Sequence, residues 1–173
     1  MVSKTTLRLK PWRRLGLAGL VSGGQTGVDR AVLDLALEAG IPCGGWCPKG
    51  RWAEDGPLPR HYPLRETPLA RVVQRTLWNM RDSDATLVLA RHRPQRGWGG
   101  SAILTSQAGV ARPRLVVDPR ADRGPRQAGA WLRRHRVRLL NVGGPRASED
   151  AEIYDLARDF LERLLLAPGN GAR

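Results

Sequence analysis

The sequence predicts an α/β domain built around a mainly parallel sheet. Short apolar runs typical of buried strands alternate along the 173 residues with segments whose apolar side chains recur at helical spacing, and this alternation is typical of βαβ units. Three glycine-rich turns follow predicted strands, at the positions where parallel strands would end. No internal repeat with a period of about 20–50 residues is present, and the length fits one domain.

The first predicted unit is a strand, a glycine-rich turn and a helix. Apolar residues at 17–21 form the strand, and residues 27–39 carry an apolar face at helical spacing. Gly40 is expected to end that helix, because glycine readily adopts the left-handed conformation found after a helix C-terminus. A short second strand is predicted near residues 41–44.

Residues 45–66 are predicted to form one long loop. The segment is rich in Pro and Gly, and it contains Trp46 and Trp52 beside Lys49 and Arg51. Loops of this length inside a compact domain are usually functional or disordered, and the two tryptophans favour an ordered loop. We therefore expect this loop to contribute to a functional site.

The second half of the chain continues the alternation. Thr67 and Pro68 are predicted to cap and open a second helix. Helical spacing predicts its buried face to comprise Leu69, Val72, Val73, Thr76 and Met80. Further strands are predicted at residues 85–90, 115–117 and 137–142, and further helices at 101–111, 125–136 and 148–166, the last capped by Ser148.

The three glycine-rich turns predict an anion site. They are SGGQTG at residues 22–27, GWGGS at 97–101 and NVGGPR at 141–146, and turns that follow the strands of a parallel sheet meet at one edge. Backbone N–H groups where the first two turns open helices suit a phosphate or another oxyanion. Neither GxxxxGKS/T nor GxGxxG occurs in the first turn, so the expected site lacks the usual lysine.

Lys49 and Arg51, in CPKGR, are predicted to supply the missing positive charge from the long loop. A guanidinium binds phosphate or carboxylate through two parallel hydrogen bonds, and Arg30, Arg75 and Arg146 are further candidates. Exchanging both Lys49 and Arg51 for Ala is expected to weaken anion binding without unfolding the protein.

The acidic candidates have two open interpretations. Asp29, Glu54, Asp55, Asp82 and Asp84 lie at a helix start or in turns, where a carboxylate often serves the local structure. Each could instead accept a hydrogen bond from a ring N–H or a ribose hydroxyl of a ligand.

The net charge of +13 suggests a nucleic-acid partner, but the composition weakens that interpretation. Twenty-six of the 29 basic residues are arginine, and the six tryptophans do not recur regularly among them. A GC-rich genome produces the first bias without any partner, and nucleic-acid surfaces interleave aromatic residues with basic ones. A nucleic-acid-binding module is therefore only an alternative, which a steep fall of affinity with rising salt would identify.

No cysteine or histidine pattern predicts a metal site or a catalytic nucleophile. Cys43 and Cys47 have a C-x3-C spacing that matches neither a redox nor a zinc motif, and we expect unpaired thiols in a reducing cytoplasm. His61, His92 and His135 are scattered along the chain. No apolar run approaches the roughly 20 residues that a membrane span needs.

Four longer motifs are similar to those of one known family. SGGQTGVDRAVLD, GGWCPKGRWAEDGPLP, QRTLWNMRDSDATLVL and LNVGGPR together resemble the molybdenum carrier family, over roughly residues 17–165. The resemblance implies one doubly wound Rossmann-like domain at residues 17–166, related to lysine-decarboxylase-like and DNA-processing protein A domains. Its sheet would have five or more mainly parallel strands with helices on both faces. Residues 1–16 have no counterpart and are expected to form a flexible basic arm, and residues 167–173 a loose tail.

The resemblance also implies a homo-oligomer, a dimer or a tetramer, that binds the molybdenum cofactor, a pterin dithiolene with a phosphate and an oxo-molybdenum centre. The protein would protect this cofactor or deliver it to a molybdoenzyme rather than transform it, so no catalytic residue is expected. The residues expected to face the ligand are Ser22, Gly23, Gly24, Gln25, Thr26, Lys49, Arg51, Arg75, Asn79, Asp84, Gly99, Gly100, Ser101, Asn141 and Arg146.

A nucleotide-binding or nucleotide-hydrolysing enzyme of the lysine-decarboxylase-like group is the first alternative. That group uses a PGGxGTxxE motif, whose glycines hold phosphate and whose Glu assists glycosidic cleavage. The corresponding stretch in this chain, GWGGSAILTSQAG, has no Glu, and none occurs between Glu66 and Glu149. The sequence therefore favours a carrier over a hydrolase.

Overall fold

The computed structural model describes residues 10–92, 103–104 and 111–167. The strands in these ranges are β1 (Gly19–Val21), β2 (Cys43–Cys47), β3 (Trp52–Ala53), β4 (Gly56–Pro57), β5 (Leu64–Glu66), β6 (Ala85–Leu89), β7 (Arg114–Val117) and β8 (Leu139–Gly143). Six of them form one sheet in the order β5-β2-β1-β8-β6-β7, and β3 pairs with β4 in a separate hairpin.

All neighbouring strands in the six-stranded sheet are parallel. The chain runs outward from β1 through β2 to β5, then crosses to β6 and β7 before β8 returns between β1 and β6. Strand order therefore reverses beside β1 and β8. Ligands of open parallel sheets bind outside the carboxyl ends of the strands at such a reversal, so this topology directs attention to the segments that follow β1 and β8.

Helices cover both faces of the sheet. They are a 3-10 helix (Pro11–Leu15), α1 (Val28–Ala39), α2 (Val72–Arg81), α3 (Gly124–Arg134) and α4 (Ile153–Leu165). The main core joins the 3-10 helix, α1, α3 and α4 to one face, which includes Leu87 of β6. The adjacent Val88 packs on the opposite face with Met80 of α2 and with Leu104. The predicted doubly wound α/β fold is confirmed.

The packed part of the chain starts before residue 17. Trp12 and Leu15 of the 3-10 helix lie in the main core, with only 1% and 4% of their surfaces exposed. Residues 11–15, which the sequence analysis placed in a flexible arm, therefore pack against the sheet-covering helices.

The segment 45–66 is not one long loop. It contains the end of β2, the β3–β4 hairpin and β5, and β5 extends the sheet beside β2. Strands of two or three residues are too short to show a period of two in the sequence, which is why they were not predicted.

The second helix starts later than predicted. Its first residue is Val72, and Thr67 does not cap it. The Thr67 hydroxyl instead donates to the carbonyl oxygens of Cys47 and Leu69, at 3.2 and 2.8 Å, so it ties the connection between β5 and α2 to the end of β2.

The buried face of α2 also differs from the predicted one. Leu69 and Val73, which were expected inside, are 48% and 49% exposed, whereas Arg75 and Asn79 are buried. Arg75 has an acidic partner and Asn79 has backbone partners inside the protein. The spacing of apolar residues therefore does not identify the buried face of α2, because polar side chains with hydrogen-bond partners inside the protein occupy part of that face.

The last helix begins at Ile153, five residues beyond Ser148. Of the helix predicted at 101–111, residues 103 and 104 are helical and most of the remainder lies outside the described residues. None of the helices in the described ranges is long and apolar enough to cross a membrane. Both cysteines are free thiols, and burial raises the pKa of Cys43 and of Cys47.

Candidate functional site

Two of the three glycine-rich turns meet at the carboxyl edge of the sheet, as predicted. The turn after β1 and the turn after β8 contact each other through the Val28 N–H, which donates to Pro145 O at 3.2 Å. A second link runs from the Ala147 N–H to Thr26 Oγ1 at 3.1 Å. The second turn, at residues 97–101, contains the predicted ligand residues Gly99, Gly100 and Ser101 and lies outside the described residues.

The glycines of the first turn are required by neighbouring groups of the protein. A Cβ on Gly27, whose φ is +73°, would lie 2.4 Å from Pro145 O, and a Cβ on Gly23 would lie 1.8 Å from a guanidinium nitrogen of Arg75. Both distances are far below van der Waals contact. Glycine therefore allows the two turns and Arg75 to pack tightly at this edge.

A buried ion pair lies directly beneath the first turn. Arg75 Nη1 donates to Asp29 Oδ2 at 2.8 Å, and the two side chains are 9% and 5% exposed. The Asp29 carboxylate also accepts hydrogen bonds from the backbone N–H groups of Gln25 and Gly23, and burial raises its pKa against the lowering effect of Arg75. Loop N–H groups expected to hold an oxyanion of a ligand thus hold the carboxylate of Asp29.

Arg75 has one buried donor without an acceptor. Among the described residues, its Nε has no hydrogen-bond acceptor, although that atom is buried. An unsatisfied buried N–H costs about 1–3 kcal/mol, and more on a charged group. The energetic cost is removed if a bound molecule supplies an oxygen at this position.

The carboxylate of Glu54, at the tip of the β3–β4 hairpin, is inserted between the two turns. It accepts hydrogen bonds from the Thr26 hydroxyl, from the Ser148 backbone N–H at 3.1 Å and from the Ser148 hydroxyl at 2.6 Å. Arg146 Nε lies 3.6 Å from its second oxygen. Although burial raises it, the hydrogen bonds from Ser148 and Thr26 hold the pKa of Glu54 below its usual value.

The hairpin tip has further attachments to the first turn. Arg30 binds Asp55 through two hydrogen bonds of 3.0 Å each. The Glu54 backbone N–H donates to Gln25 Oε1 at 2.9 Å. The side chain of Gln25, a predicted ligand residue, is thus used to position the hairpin.

The structure gives Lys49 and Arg51 different surroundings. Arg51, at a φ of +52°, donates to four backbone carbonyl oxygens at 2.9–3.1 Å, those of Leu58, Pro59, Tyr62 and Leu64. Four of its five donors are therefore used to hold the connection between the hairpin and β5. Lys49 is exposed. Of the two residues predicted to supply positive charge, only Lys49 has a side chain available to an anion.

Four other predicted ligand residues bind backbone or neighbouring strands. Ser22 donates to Val142 O at 2.9 Å, and Asn141 donates to Thr86 Oγ1 at 3.2 Å. Asn79 binds both the N–H and the C=O of Trp46, at 2.7 and 3.0 Å. Asp84 accepts the N–H groups that open β8, at 2.8 and 2.9 Å, so it lies at the amino edge of the sheet, away from the two turns.

A cleft of about 340 Å³ opens on the face of the sheet that α2 covers. Its wall includes the indole of Trp46, which packs edge-on against Trp78 with 4.7 Å between ring centroids and donates to Asp82 at 2.8 Å. The cleft extends to Val21, the last residue of β1. The cleft also contacts Cys43, the first residue of β2, and Asp82, just after α2, so it runs from Val21 along the face of the sheet toward the amino edge, with Trp46 in its wall.

Sequence reasoning missed the role of Glu54 and Ser148. The sequence predicts a helix cap at Ser148 and a turn at Glu54, and the two residues are 94 positions apart. Only the return of β8 beside β1 brings them together, and no local pattern indicates that pairing. In the described part of the chain, no three His, Cys, Asp or Glu side chains form a group that could hold a metal ion.

Comparisons with known proteins agree with this architecture. A family model described as the circularly permutated YpsA SLOG family matches residues 20–165. The chain is also similar to a solved structure described as "Putative molybdenum carrier protein" from Syntrophus aciditrophicus SB, with 40% identity and a TM-score of 0.80. That match covers 87% of this chain and 96% of the other. No protein of curated function matches the sequence significantly.

Proposed function

Because this chain belongs to the circularly permutated YpsA SLOG family, we propose that it binds a phosphorylated small molecule, foremost the molybdenum cofactor, at the carboxyl edge of its sheet. It would protect or deliver this molecule without transforming it. The solved relative at 40% identity carries the description of a molybdenum carrier, and the first and third glycine-rich turns meet where ligands of parallel sheets bind.

The observation that carries the proposal is the buried donor of Arg75. Its guanidinium lies against Gly23, and among the described residues its Nε has no acceptor. A phosphate or oxo group of a ligand would supply that acceptor, with a charge that matches the guanidinium. An apolar ligand would leave the donor unsatisfied.

The residues present fit the molybdenum cofactor. When bound, the cofactor brings its own dithiolene sulfurs to the molybdenum, so the protein needs phosphate donors and a surface for the ring rather than thiolate ligands. Arg75, Thr26 and Arg146 are the donors that we assign to anionic groups. The cleft beside Trp46, which extends to Val21, is the surface that we assign to the pterin.

The proposal also covers the oligomeric state of the protein, its cellular location and the enzyme that receives its cargo. We expect a cytoplasmic homo-oligomer of two or four copies that passes its cargo to a molybdoenzyme. Leu69, three residues before α2, and Val73, in its first turn, are 48% and 49% exposed, which is compatible with a contact between copies.

Nucleotide binding with hydrolysis is the second candidate function. One observation favours it: the hairpin places the Glu54 carboxylate between the two turns, although the motif around residue 100 contains no Glu. A carboxylate at this edge is able to assist glycosidic cleavage. We rank this function second because Thr26 and Ser148 already occupy that carboxylate with hydrogen bonds.

The test is to identify the molecule that accompanies the protein. Native and denaturing mass spectra of anaerobically purified protein should differ by the mass of a pterin phosphate, with or without molybdenum. A nucleotide mass would favour the second candidate. For protein without cargo, isolated molybdenum cofactor is titrated into the wild type and into Arg75→Lys, which keeps the charge but lacks Nε. Failure of the wild type to bind would contradict the carrier function.

A further inference from the structure

We propose that Thr26, Arg146 and Ser148 form an oxyanion site for a phosphate group, and that Glu54 occupies this site with its own carboxylate until phosphate displaces it. The inference deepens the proposed function and rests on it only for the identity of the anion. It makes Glu54 an internal competitor of the ligand rather than a ligand-binding residue.

The first argument is the set of donors around the carboxylate. A hydroxyl from the β1 turn and a hydroxyl and a backbone N–H from the β8 turn donate to the two oxygens of Glu54. The Arg146 Nε lies 3.6 Å from Glu54 and donates to Glu149 at 3.1 Å. Such a set of neutral and cationic donors is what proteins present to phosphate. The side chain of Glu54 is 20% exposed, so these contacts are partly shielded from water.

The second argument is that Glu54 belongs to a small hairpin, β3–β4, whose strands do not join the main sheet. The strands β3 and β4 have two residues each and pair only with one another. Gly50 and Gly56 lie on either side of Trp52–Ala53, at φ values of +81° and +112°, and a Cβ on either would meet nothing within 4 Å. Gly56 directly follows the tip residues Glu54 and Asp55, so little side-chain packing opposes a change there.

The base of the hairpin is held firmly, which confines the change to the tip. Ala53 is 1% exposed and packs with Leu33 and Leu58 in a small core cluster. At the tip, the Asp55 side chain is 49% exposed and is held by Arg30. The tip residues Glu54 and Asp55 are thus tied by polar contacts, which exchange with solvent or ligand more readily than buried apolar contacts.

Charge decides the competition. Glu54 and a phosphate group are both anions, and they require the same donors, so both cannot occupy the site together. Neutralising Glu54 without changing its size removes the competing charge and leaves every proposed phosphate donor in place. Asp55→Asn is the matched control, because it neutralises the adjacent exposed carboxylate outside the proposed site.

The test is calorimetric titration of inorganic phosphate into the full chain and its variants. Glu54→Gln should bind phosphate about tenfold more tightly than the wild type, and Asp55→Asn should change the affinity by less than about threefold. Adding Ser148→Ala to Glu54→Gln should abolish the gain, because it removes the Ser148 hydroxyl, one of the proposed phosphate donors. Thermal unfolding of each variant shows whether it is folded.

Movement of the tip is measured separately. Trp52 is 48% exposed and precedes the tip by two residues, so phosphate should change the tryptophan fluorescence of the wild type, and Trp52→Phe should lose that change. Equal phosphate affinity of folded wild type and Glu54→Gln, or a gain that survives Ser148→Ala, would overturn the inference. Neither result would affect co-purification of a pterin phosphate, on which the proposed function depends.

Discussion

The guanidinium of Arg75 lies 2.8 Å from the carboxylate of Asp29, and both side chains are more than nine-tenths buried. Asp29 lies in the first turn of α1 and Arg75 in the first turn of α2, and these helices cover opposite faces of the sheet. The pair therefore joins the two helical layers across the carboxyl edge, directly beneath the glycine-rich turn.

Replacing Arg75 should lower the free energy of unfolding, because the ion pair with Asp29 joins the two helical layers. Arg75→Met leaves a buried carboxylate without its partner, so the free energy of unfolding should fall by about 3–5 kcal/mol. The double variant Asp29→Asn, Arg75→Met should lose less than the sum of the single variants, as measured by urea denaturation. Strictly additive losses would show that the two side chains do not interact.

Alanine substitutions at Arg51 and Lys49 should distinguish a residue that stabilises the fold from one whose side chain is available for binding. Arg51→Ala removes donors to four backbone carbonyls, so it should lower the free energy of unfolding by about 2 kcal/mol. Lys49→Ala, an exposed substitution in the same turn, should stay within about 0.5 kcal/mol of the wild type. Urea denaturation of both variants checks this, and a stable Arg51→Ala protein would refute the role assigned to its guanidinium.

Alanine substitutions at Gly27 and Gly50 give a second matched comparison of stability. Gly27→Ala places a methyl group 2.4 Å from Pro145 O, so it should lower the free energy of unfolding by about 3 kcal/mol through strain and displacement of the turns. Gly50→Ala, at a similar positive φ but without a neighbour within 4 Å, should cost only about 1 kcal/mol. Similar losses in thermal unfolding would mean that the contact with Pro145 is unimportant.

The two tyrosines give a pH-dependent prediction. Tyr62 and Tyr154 both donate to Asp34, at 2.6 and 2.8 Å, and they are the only tyrosines of the chain. Burial and the hydrogen bond to Asp34 raise the pKa of Tyr62 from 10.0 to about 12. In Tyr154→Phe, tyrosinate absorbance should therefore develop near pH 12, and Asp34→Asn should bring it back towards pH 10.

The sign of the effect on stability follows from the same shift. Between pH 10 and about 12 the unfolded chain has lost the Tyr62 proton while the folded protein retains it, so unfolding releases a proton and stability falls as pH rises. Tyr62→Phe should flatten the fall of stability in this window. A titration of Tyr62 near pH 10 in the folded protein would contradict the hydrogen bond to Asp34.

Local patterns predicted the elements that carry many apolar residues. The first helix was placed at residues 27–39 and is observed at Val28–Ala39, because its apolar face and its terminal Gly40 are both local signals. The start of α2 was predicted four residues too early, at Pro68 with Thr67 as its cap, because Thr-Pro is a common helix opening. In the folded protein, Thr67 binds carbonyl oxygens at the end of β2 instead.

The site was predictable only in outline. Parallel topology brings the turns after β1 and β8 to one edge, and that expectation followed from the alternation of strands and helices. The insertion of Glu54 between Thr26 and Ser148, and the use of Arg51 on loop carbonyls, depend on contacts between distant segments. Such contacts are decided by geometry that no window of sequence contains.

The pairing of β1 with β8 has a consequence for synthesis of the chain. Residues 19–21 leave the ribosome early, but their partners at residues 139–141 follow only after nearly the whole domain has been translated. Until then one edge of β1 has no strand beside it, and α1 lacks its packing against α4. The nascent N-terminal half therefore exposes an open strand edge and apolar helix surface, the features that nascent-chain chaperones recognise.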